Sequence, residues 1–185
     1  MVITNGKVDL DEVAKSIVGV FPLLDLFEQR MSLELYCLLA QCEPVQRSTL
    51  AERLGALVET VNGILDDWPS VFFDSQQRVV GYWGLAIPGC YTNPHNLTVG
   101  GRRHSAWCAW DTLFLPQLLG QTAEIESSSP ASGDSIRLTV TPEAVAQVDP
   151  AGAHMSFLLP DAAAIQKDVV TTFCGCVATL GAAGW

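Results

Sequence analysis

The sequence predicts an α+β fold in two parts, and three observations lead to this prediction. Helical periodicity is concentrated in the first 67 residues, whereas short strand-like runs separated by turns dominate the rest. Hydrophobic residues make up 49% of the 185 residues and charged residues only 16%, so the chain can bury a substantial core. We expect a winged-helix-like N-terminal domain over residues 1–87, followed by a mixed α/β domain with mainly antiparallel strands over residues 88–185.

Two helices are predicted at the start of the chain. Residues 9–19 suit a short amphipathic helix, because Asp9 can cap it and two acidic residues follow near the positive end of the helix dipole. From Pro22 to about Gln41, apolar residues recur at three- and four-residue steps, which predicts a longer helix. The residues that carry this pattern are Leu24, Phe27, Met31, Leu35 and Leu38.

A pair of shorter helices and a hairpin follow. Ser48 or Thr49 can cap a helix that Gly55 ends, and the next helix runs from about Leu57 to Asp67. After them, two β-rich runs flank a polar turn, which predicts a hairpin. The runs are residues 71–73 and 79–83, and the turn is residues 74–77. Helices and hairpin in this order are typical of a winged-helix module.

The second part begins with a turn-rich stretch, residues 88–102, which we interpret as a connector between the domains. A helix is predicted over 107–119, with Gly120 as its stop. The alternating runs 122–126 and 135–140 flank a loop rich in Ser, Pro and Gly, so they are expected to pair as a hairpin.

Four further elements complete the prediction. Residues 141–145 have proline at the first position of a possible helical turn. A strand at 154–159, a short helix at 161–168 and a last strand at 169–177 follow.

Charge excludes one class of partner. The net charge is −10, from 20 acidic and 10 basic residues, whereas phosphate-backbone binding needs clustered Lys and Arg. The helix at 57–67 would be the DNA-reading helix of a winged-helix protein, yet its charged residues are Glu59, Asp66 and Asp67. We therefore predict no nucleic-acid partner, disfavour a metal-responsive regulator, and interpret the N-terminal part as a structural or docking unit.

Location follows from two absences in the sequence. No uncharged apolar run approaches the ~20 residues that a membrane span needs, and residues 1–11 lack the basic and apolar blocks of a secretory signal. These features predict a cytoplasmic protein with no membrane partner. Its six cysteines are then expected to be mostly reduced.

The cysteines do not form a standard structural zinc site. None lies in a CxxC pair, and Cys174-Gly175-Cys176 is too tightly spaced for a zinc clip. Cys37 and Cys42, at the end of the long predicted helix, are interpreted as small packed hydrophobes.

Cys108 and Asp111 are the candidate reactive pair. They lie three residues apart in an apolar, tryptophan-rich run, so on a helix the thiol and the carboxylate share a face. In the first turn the helix dipole favours the thiolate, whereas the carboxylate opposes it, and the two groups can share one proton. From spacing alone, simple packing and chemistry are both open.

A cysteine hydrolase would also need a histidine base. The three histidines, His95, His104 and His154, lie in no recognisable hydrolase motif and are interpreted as structural or solvent-facing.

The segment from Ala106 to Pro116, AWCAWDTLFLP, resembles the core motif of organomercurial lyases, also named alkylmercury lyases. The resemblance covers roughly residues 45 to 177. It includes upstream segments in the winged-helix-like part and downstream segments such as Leu138–Pro142, Val148–Gly152 and Phe173-Cys174.

The resemblance implies a cytosolic enzyme that cleaves carbon–mercury bonds by protonolysis. It maps the two reactive cysteines and the aspartate of the family onto Cys108, Cys174 and Asp111, which would also hold the substrate or product mercury. Two roles are open for Cys176: it is a further candidate mercury ligand, or it fills one face of the last predicted strand. No cofactor is implied, and the Hg²⁺ product would pass to a cellular thiol or a mercuric reductase.

A second interpretation keeps the same fold without turnover. In it, the thiols hold Hg²⁺, copper or another soft metal ion, because soft thiolates select soft ions. Release of a hydrocarbon separates the two interpretations.

Overall fold

An antiparallel sheet of eight strands and four helices make up the described residues of the computed structural model, which are 23–90, 95–129, 132–153 and 155. The helices are α1 (Leu26–Leu39), α2 (Arg47–Leu54), α3 (Val58–Asp67) and α4 (Asp111–Leu119). The strands are β1 (Val71–Phe73), β2 (Val79–Tyr82), β3 (Leu85–Ala86), β4 (His95–Val99), β5 (Arg102–Ala106), β6 (Ala123–Ser128), β7 (Ser135–Val140) and β8 (Val145–Asp149). Their order in the sheet is β1-β2-β3-β5-β4-β6-β7-β8, which confirms an α+β fold with antiparallel strands.

One hydrophobic core joins the helices to the sheet. Met31, Leu35 and Leu39 on α1 are fully buried, as the spacing of its apolar residues predicts. Side chains of β4 and β6 alternate between buried and more exposed positions, because successive residues of a strand point to opposite faces. The core therefore lies between α1 and one face of the sheet, and it extends to Leu97 and Ile125.

Local capping chemistry explains the start of α1 and the end of α2. Asp25 begins α1, because its carboxylate accepts the Glu28 amide at 2.8 Å while the Glu28 side chain accepts the Asp25 amide at 2.8 Å. The predicted cap of α2 is wrong: the helix starts at Arg47 after Gln46, without a side-chain cap. Gly55 ends α2 in the left-handed conformation (φ 64°), which confirms the predicted stop.

The hairpin of β1 and β2 is confirmed, and it continues into the rest of the sheet. The Asp74 carboxylate closes its turn by accepting the amides of Gln76 and Arg78, each at 2.9 Å. Strand β2 pairs with β3, and β3 pairs with β5, so the sheet continues past residue 87. The winged-helix character of residues 1–87 and the domain boundary remain predictions.

The interpretation of residues 88–102 as a connector is wrong. They contain β4 and the first residue of β5, which form a hairpin around Gly100-Gly101 with Val99 opposite Arg102. Both glycines have positive φ, 56° and 77°, as a two-residue hairpin turn requires.

The helical turn predicted at 141–145 is also wrong. The amide of Thr141 donates to the Ala144 carbonyl at 2.8 Å, and the Thr141 hydroxyl accepts two amides of the loop, so the chain reverses. It then enters β8, which pairs with β7. The predicted pairing of the two preceding strand runs is confirmed as β6 and β7.

Several predicted elements lie outside the described residues. They are the helices at 9–19 and 161–168 and the strands at 154–159 and 169–177. Within the described part of the chain, no helix has the length and apolar character needed to cross a membrane.

Candidate functional site

Cys108 lies in a tight turn, residues 107–110, that joins β5 to α4. Helix α4 begins at Asp111, so the predicted helix over 107–119 starts four residues too early, although Gly120 ends it as predicted. The Trp107 amide donates to the Gly84 carbonyl at 3.0 Å, which ties the start of the turn to the connection between β2 and β3. Cys108 is therefore placed just before the helix, outside its first turn.

Cys108 and Asp111 meet through this turn. The Cys108 backbone amide donates to Asp111 Oδ2 at 2.7 Å. A bond this short is typical of an amide held by a carboxylate. The spacing predicted a shared helix face, whereas Cys108 precedes the helix and its backbone amide makes the contact with the carboxyl group.

Asp111 is a buried carboxyl group with a shifted pKa. Only 4% of the residue is exposed, and burial raises the pKa of Asp111 to about 6, against the opposing effect of its hydrogen bonds from Cys108. Cys108 is equally buried, at 3% exposure. The site thus places a soft sulfur atom beside an acid that exchanges its proton close to neutral pH.

Gly84 forms one wall around this carboxyl group. It is the second residue of the Trp83–Gly84 turn that joins β2 to β3, with φ 89°. A Cβ atom built on Gly84 would lie 2.5 Å from Asp111 Cγ and 2.6 Å from Oδ1, so only a glycine fits here. Gly84 was not predicted as a site residue, although a glycine between two strand-like runs is a signal for such a turn.

Substituting Gly84 with alanine is expected to destabilise the protein by roughly 2–4 kcal/mol, because it adds a clash with a buried carboxyl group to an unfavourable φ. Urea denaturation measures this change. Gly89→Ala is the matched control, because Gly89 has φ 82° and no atom within 4 Å of its Cβ position. Equal losses in the two variants would contradict a specific contact between Gly84 and Asp111.

The other cysteines were predicted either as mercury ligands or as packed hydrophobes. Cys174 and Cys176 lie outside the described residues. Cys37 is exposed, so its interpretation as a packed hydrophobe is wrong. Cys42 is half-buried, and its Sγ lies 3.1 Å from the Arg103 carbonyl and 3.3 Å from His104 Nδ1. Among the described residues, no group of three His, Cys, Asp or Glu side chains is arranged to hold a metal ion.

Two of the histidines are buried. His95 Nδ1 lies 2.9 Å from Ser127 Oγ, and burial lowers the pKa of both His95 and His104 to about 4. Both rings are therefore neutral near pH 7, which agrees with a structural role. His154 lies outside the described residues.

The chain is similar to known proteins of one family. The family model for MerB, alkylmercury lyase, matches residues 91–183, just over half of the chain. An alkylmercury lyase of Staphylococcus epidermidis is 41% identical over 137 residues, which are 74% of this chain and 60% of the relative. An alkylmercury lyase of Pseudomonas putida is 41% identical over 131 residues, 71% of this chain and 58% of the relative. The chain thus spans about 60% of the length of these relatives.

The fold is also similar to that of a solved structure. A crystal structure of the mercury-bound form of MerB2 superposes with a TM-score of 0.72. The alignment covers 89% of this chain and 79% of that one, at 23% sequence identity. At this identity the similarity concerns the fold.

Proposed function

Because this chain belongs to the alkylmercury lyase family, we propose that it cleaves carbon–mercury bonds by protonolysis, releasing a hydrocarbon and inorganic Hg²⁺. The observation that carries the proposal is the contact between Cys108 and Asp111. A buried thiol and a buried carboxyl group with a pKa of about 6 share a hydrogen-bonded turn. Protonolysis needs these two groups, a soft ligand for mercury and an acid beside it.

The proposed reaction begins with proton transfer from the Cys108 thiol to the Asp111 carboxylate as sulfur binds the organomercurial. The non-carbon ligand that mercury carried in the substrate leaves as an anion, so the charge of the site is balanced. Burial stabilises the protonated form of Asp111, which holds the proton beside the bound substrate. The thiol thus supplies both the mercury ligand and the proton.

In the second step, Asp111 protonates the carbon atom bonded to mercury. The carbon–mercury electron pair forms the new carbon–hydrogen bond, and Asp111 returns to its carboxylate form. We propose that Cys174 supplies a second thiolate, which increases electron density on mercury and retains the Hg²⁺ product with Cys108. Asp111 completes the proposed mercury site, and Cys176 is a further candidate ligand.

Release of Hg²⁺ is proposed to need an external thiol. Two protein thiolates bind mercury tightly, so a competing thiol, either of the cell or of a mercuric reductase, has to take the ion. The proposed chemistry uses only protein groups and needs no cofactor. A reducing cytosol, which keeps the cysteines as thiols, is the proposed location.

The N-terminal part is proposed to act as a scaffold for this site. Helices α1 to α3 and the hairpin of β1 and β2 follow the order of a winged-helix module, which we propose for residues 1–87. The hairpin continues through β2 and β3, whose connecting turn contains Gly84, the wall of the Asp111 site. This arrangement supports a role in positioning for the module.

Turnover of phenylmercury tests the proposal against the alternative, a soft-metal-binding protein without catalysis. The purified chain is incubated with phenylmercury and excess thiol, and benzene and inorganic Hg²⁺ are quantified. We expect many moles of benzene per mole of chain. Tight mercury binding with no benzene would favour the binding protein.

The cleavage rate is expected to fall as the pH rises through about 6. The sign follows from the role of Asp111: its protonated form donates the proton, and this form is depleted above the pKa. Single-turnover rates with phenylmercury already bound, measured from pH 5 to 9, check the dependence. A rate that increases across this range would contradict proton donation by Asp111.

A further inference from the structure

Tyr36 holds the turn that forms the wall of the Asp111 site. Its hydroxyl group donates a hydrogen bond to the Trp83 carbonyl at 2.9 Å, across 47 positions of the sequence. On the other side of the turn, the Trp107 amide donates to the Gly84 carbonyl at 3.0 Å. The Trp83–Gly84 turn is therefore held by a contact from α1 and by one from the turn that contains Cys108, and the Trp83 amide also donates to the Ser70 carbonyl at 3.3 Å.

The conformation of this turn needs such support. Trp83 has φ 29°, which is unfavourable for a residue with a side chain, and Gly84 has φ 89°. Strained backbone conformations persist only where surrounding contacts enforce them. Tyr36 is suited to this task because it is only 4% exposed and lies on the well-packed face of α1.

The position of the turn determines the position of the carboxyl group. Asp111 Oδ1 faces the Gly84 backbone at a separation that leaves no room for a Cβ atom, while Oδ2 accepts the Cys108 amide at 2.7 Å. The carboxyl group is thus enclosed between the turn and Cys108. Movement of the turn away from α4 would open space on the Oδ1 side and weaken the bond on the Oδ2 side.

We propose that Tyr36 is a positioning residue that, by fixing the Trp83–Gly84 turn, holds the Asp111 carboxyl group against the Cys108 amide. Its importance for turnover rests on the proposed function, since there Asp111 donates the proton. The geometric part, the link from Tyr36 to the Cys108–Asp111 bond, is independent of that function. Tyr36 does not contact the reacting atoms in this proposal and acts only through the turn.

Tyr82 is the matched control for Tyr36. The two rings lie 5.1 Å apart, and both residues are buried. The Tyr82 hydroxyl group, however, donates to Ser32 Oγ at 3.0 Å and does not bond to the Trp83 carbonyl. Tyr36→Phe and Tyr82→Phe therefore remove the same atom from neighbouring buried rings, and only the first removes the bond to the turn.

The experiment compares both variants with the wild type in two readouts. The first is the Cys108 amide proton, whose chemical shift and hydrogen exchange report the bond to Asp111. We expect Tyr36→Phe to shift this proton upfield and to increase its exchange rate by about tenfold or more. The second is phenylmercury turnover, in which kcat is expected to fall by about tenfold or more with little change in KM, since misplacement of a reacting group lowers the rate of chemistry. Tyr82→Phe is expected to leave both readouts unchanged.

An unchanged Cys108 amide in Tyr36→Phe, or an equal change in Tyr82→Phe, would overturn the proposal. If the wild type binds phenylmercury without turnover, the proposed function fails, and the amide readout still decides the positioning role. Circular dichroism checks folding. If Tyr36→Phe does not fold, Gly84→Ala tests the same wall: the Cys108 amide should lose its bond to Asp111, whereas in Gly89→Ala it should retain it. Retention in Gly84→Ala would overturn the proposal.

Discussion

Replacing Asp111 with asparagine is expected to lower the rate of carbon–mercury cleavage by about 10²- to 10⁴-fold, the usual contribution of a general acid. Asparagine has the shape of aspartate and can still accept the Cys108 amide, which the carboxylate binds at 2.7 Å. It has no carboxylic proton to deliver. The thiol of Cys108 remains, so binding of inorganic Hg²⁺ should be largely retained.

Asp66→Asn is the control for this substitution. Asp66 is exposed on α3, where it forms an ion pair with Arg47, so its loss is expected to leave turnover unchanged. Benzene release from phenylmercury is measured for both variants, together with Hg²⁺ binding. Wild-type turnover in Asp111→Asn would remove Asp111 from the mechanism.

The second large effect is expected for Cys108→Ser. A hydroxyl group is a hard, weak ligand for mercury, so the variant should lose both tight substrate binding and proton transfer from sulfur. Cleavage is expected to fall on the order of 10³-fold or more, as when the central residue of a cooperating set is removed. Benzene release and the affinity for phenylmercury measure the two losses.

Cys37→Ser separates this effect from a general loss of thiols. Cys37 is exposed on α1, so the control removes one sulfur atom without touching the site. It should turn over phenylmercury at the wild-type rate. Equal activity of Cys108→Ser and Cys37→Ser would show that Cys108 is not the mercury ligand in the reaction.

Local signals in the sequence predicted most of the helices and two of the hairpins. Each of these signals acts over a few residues. They are the apolar period of α1, the helix-ending glycines Gly55 and Gly120, and the polar turn at Asp74. Such signals can be recognised without knowledge of the rest of the fold. The predictions made from them agree with the structure within a few residues.

The hairpin of β4 and β5 shows where the interpretation failed. The stretch contains Pro94, Gly100 and Gly101, which favour turns, but Leu97 and Val99 also alternate with polar neighbours as in a strand. Two adjacent glycines between alternating runs are a typical two-residue hairpin signal. The sequence therefore contains both signals of a hairpin, the two-residue alternation of a strand and the paired glycines of its turn.

The site itself was predicted only in part. The proximity of Cys108 and Asp111 follows from their spacing. The hydrogen bond that joins them, however, depends on the turn at residues 107–110, where a helix was predicted. Gly84 faces Asp111 across 27 positions of the chain, and Tyr36 reaches the Trp83 carbonyl across 47 positions. Contacts of this kind produce no periodic pattern in the sequence, so they can be identified only from the structure.

Deuterium incorporation from solvent distinguishes protonolysis of the carbon–mercury bond from mercury binding alone. Phenylmercury and excess thiol are incubated with the wild-type chain in D₂O, and the released benzene is analysed by mass spectrometry. Thiol and carboxyl protons exchange with solvent, so we expect benzene carrying one deuterium atom, formed over many turnovers. Phenylmercury that stays bound to the protein without benzene release, or benzene without deuterium, would contradict it.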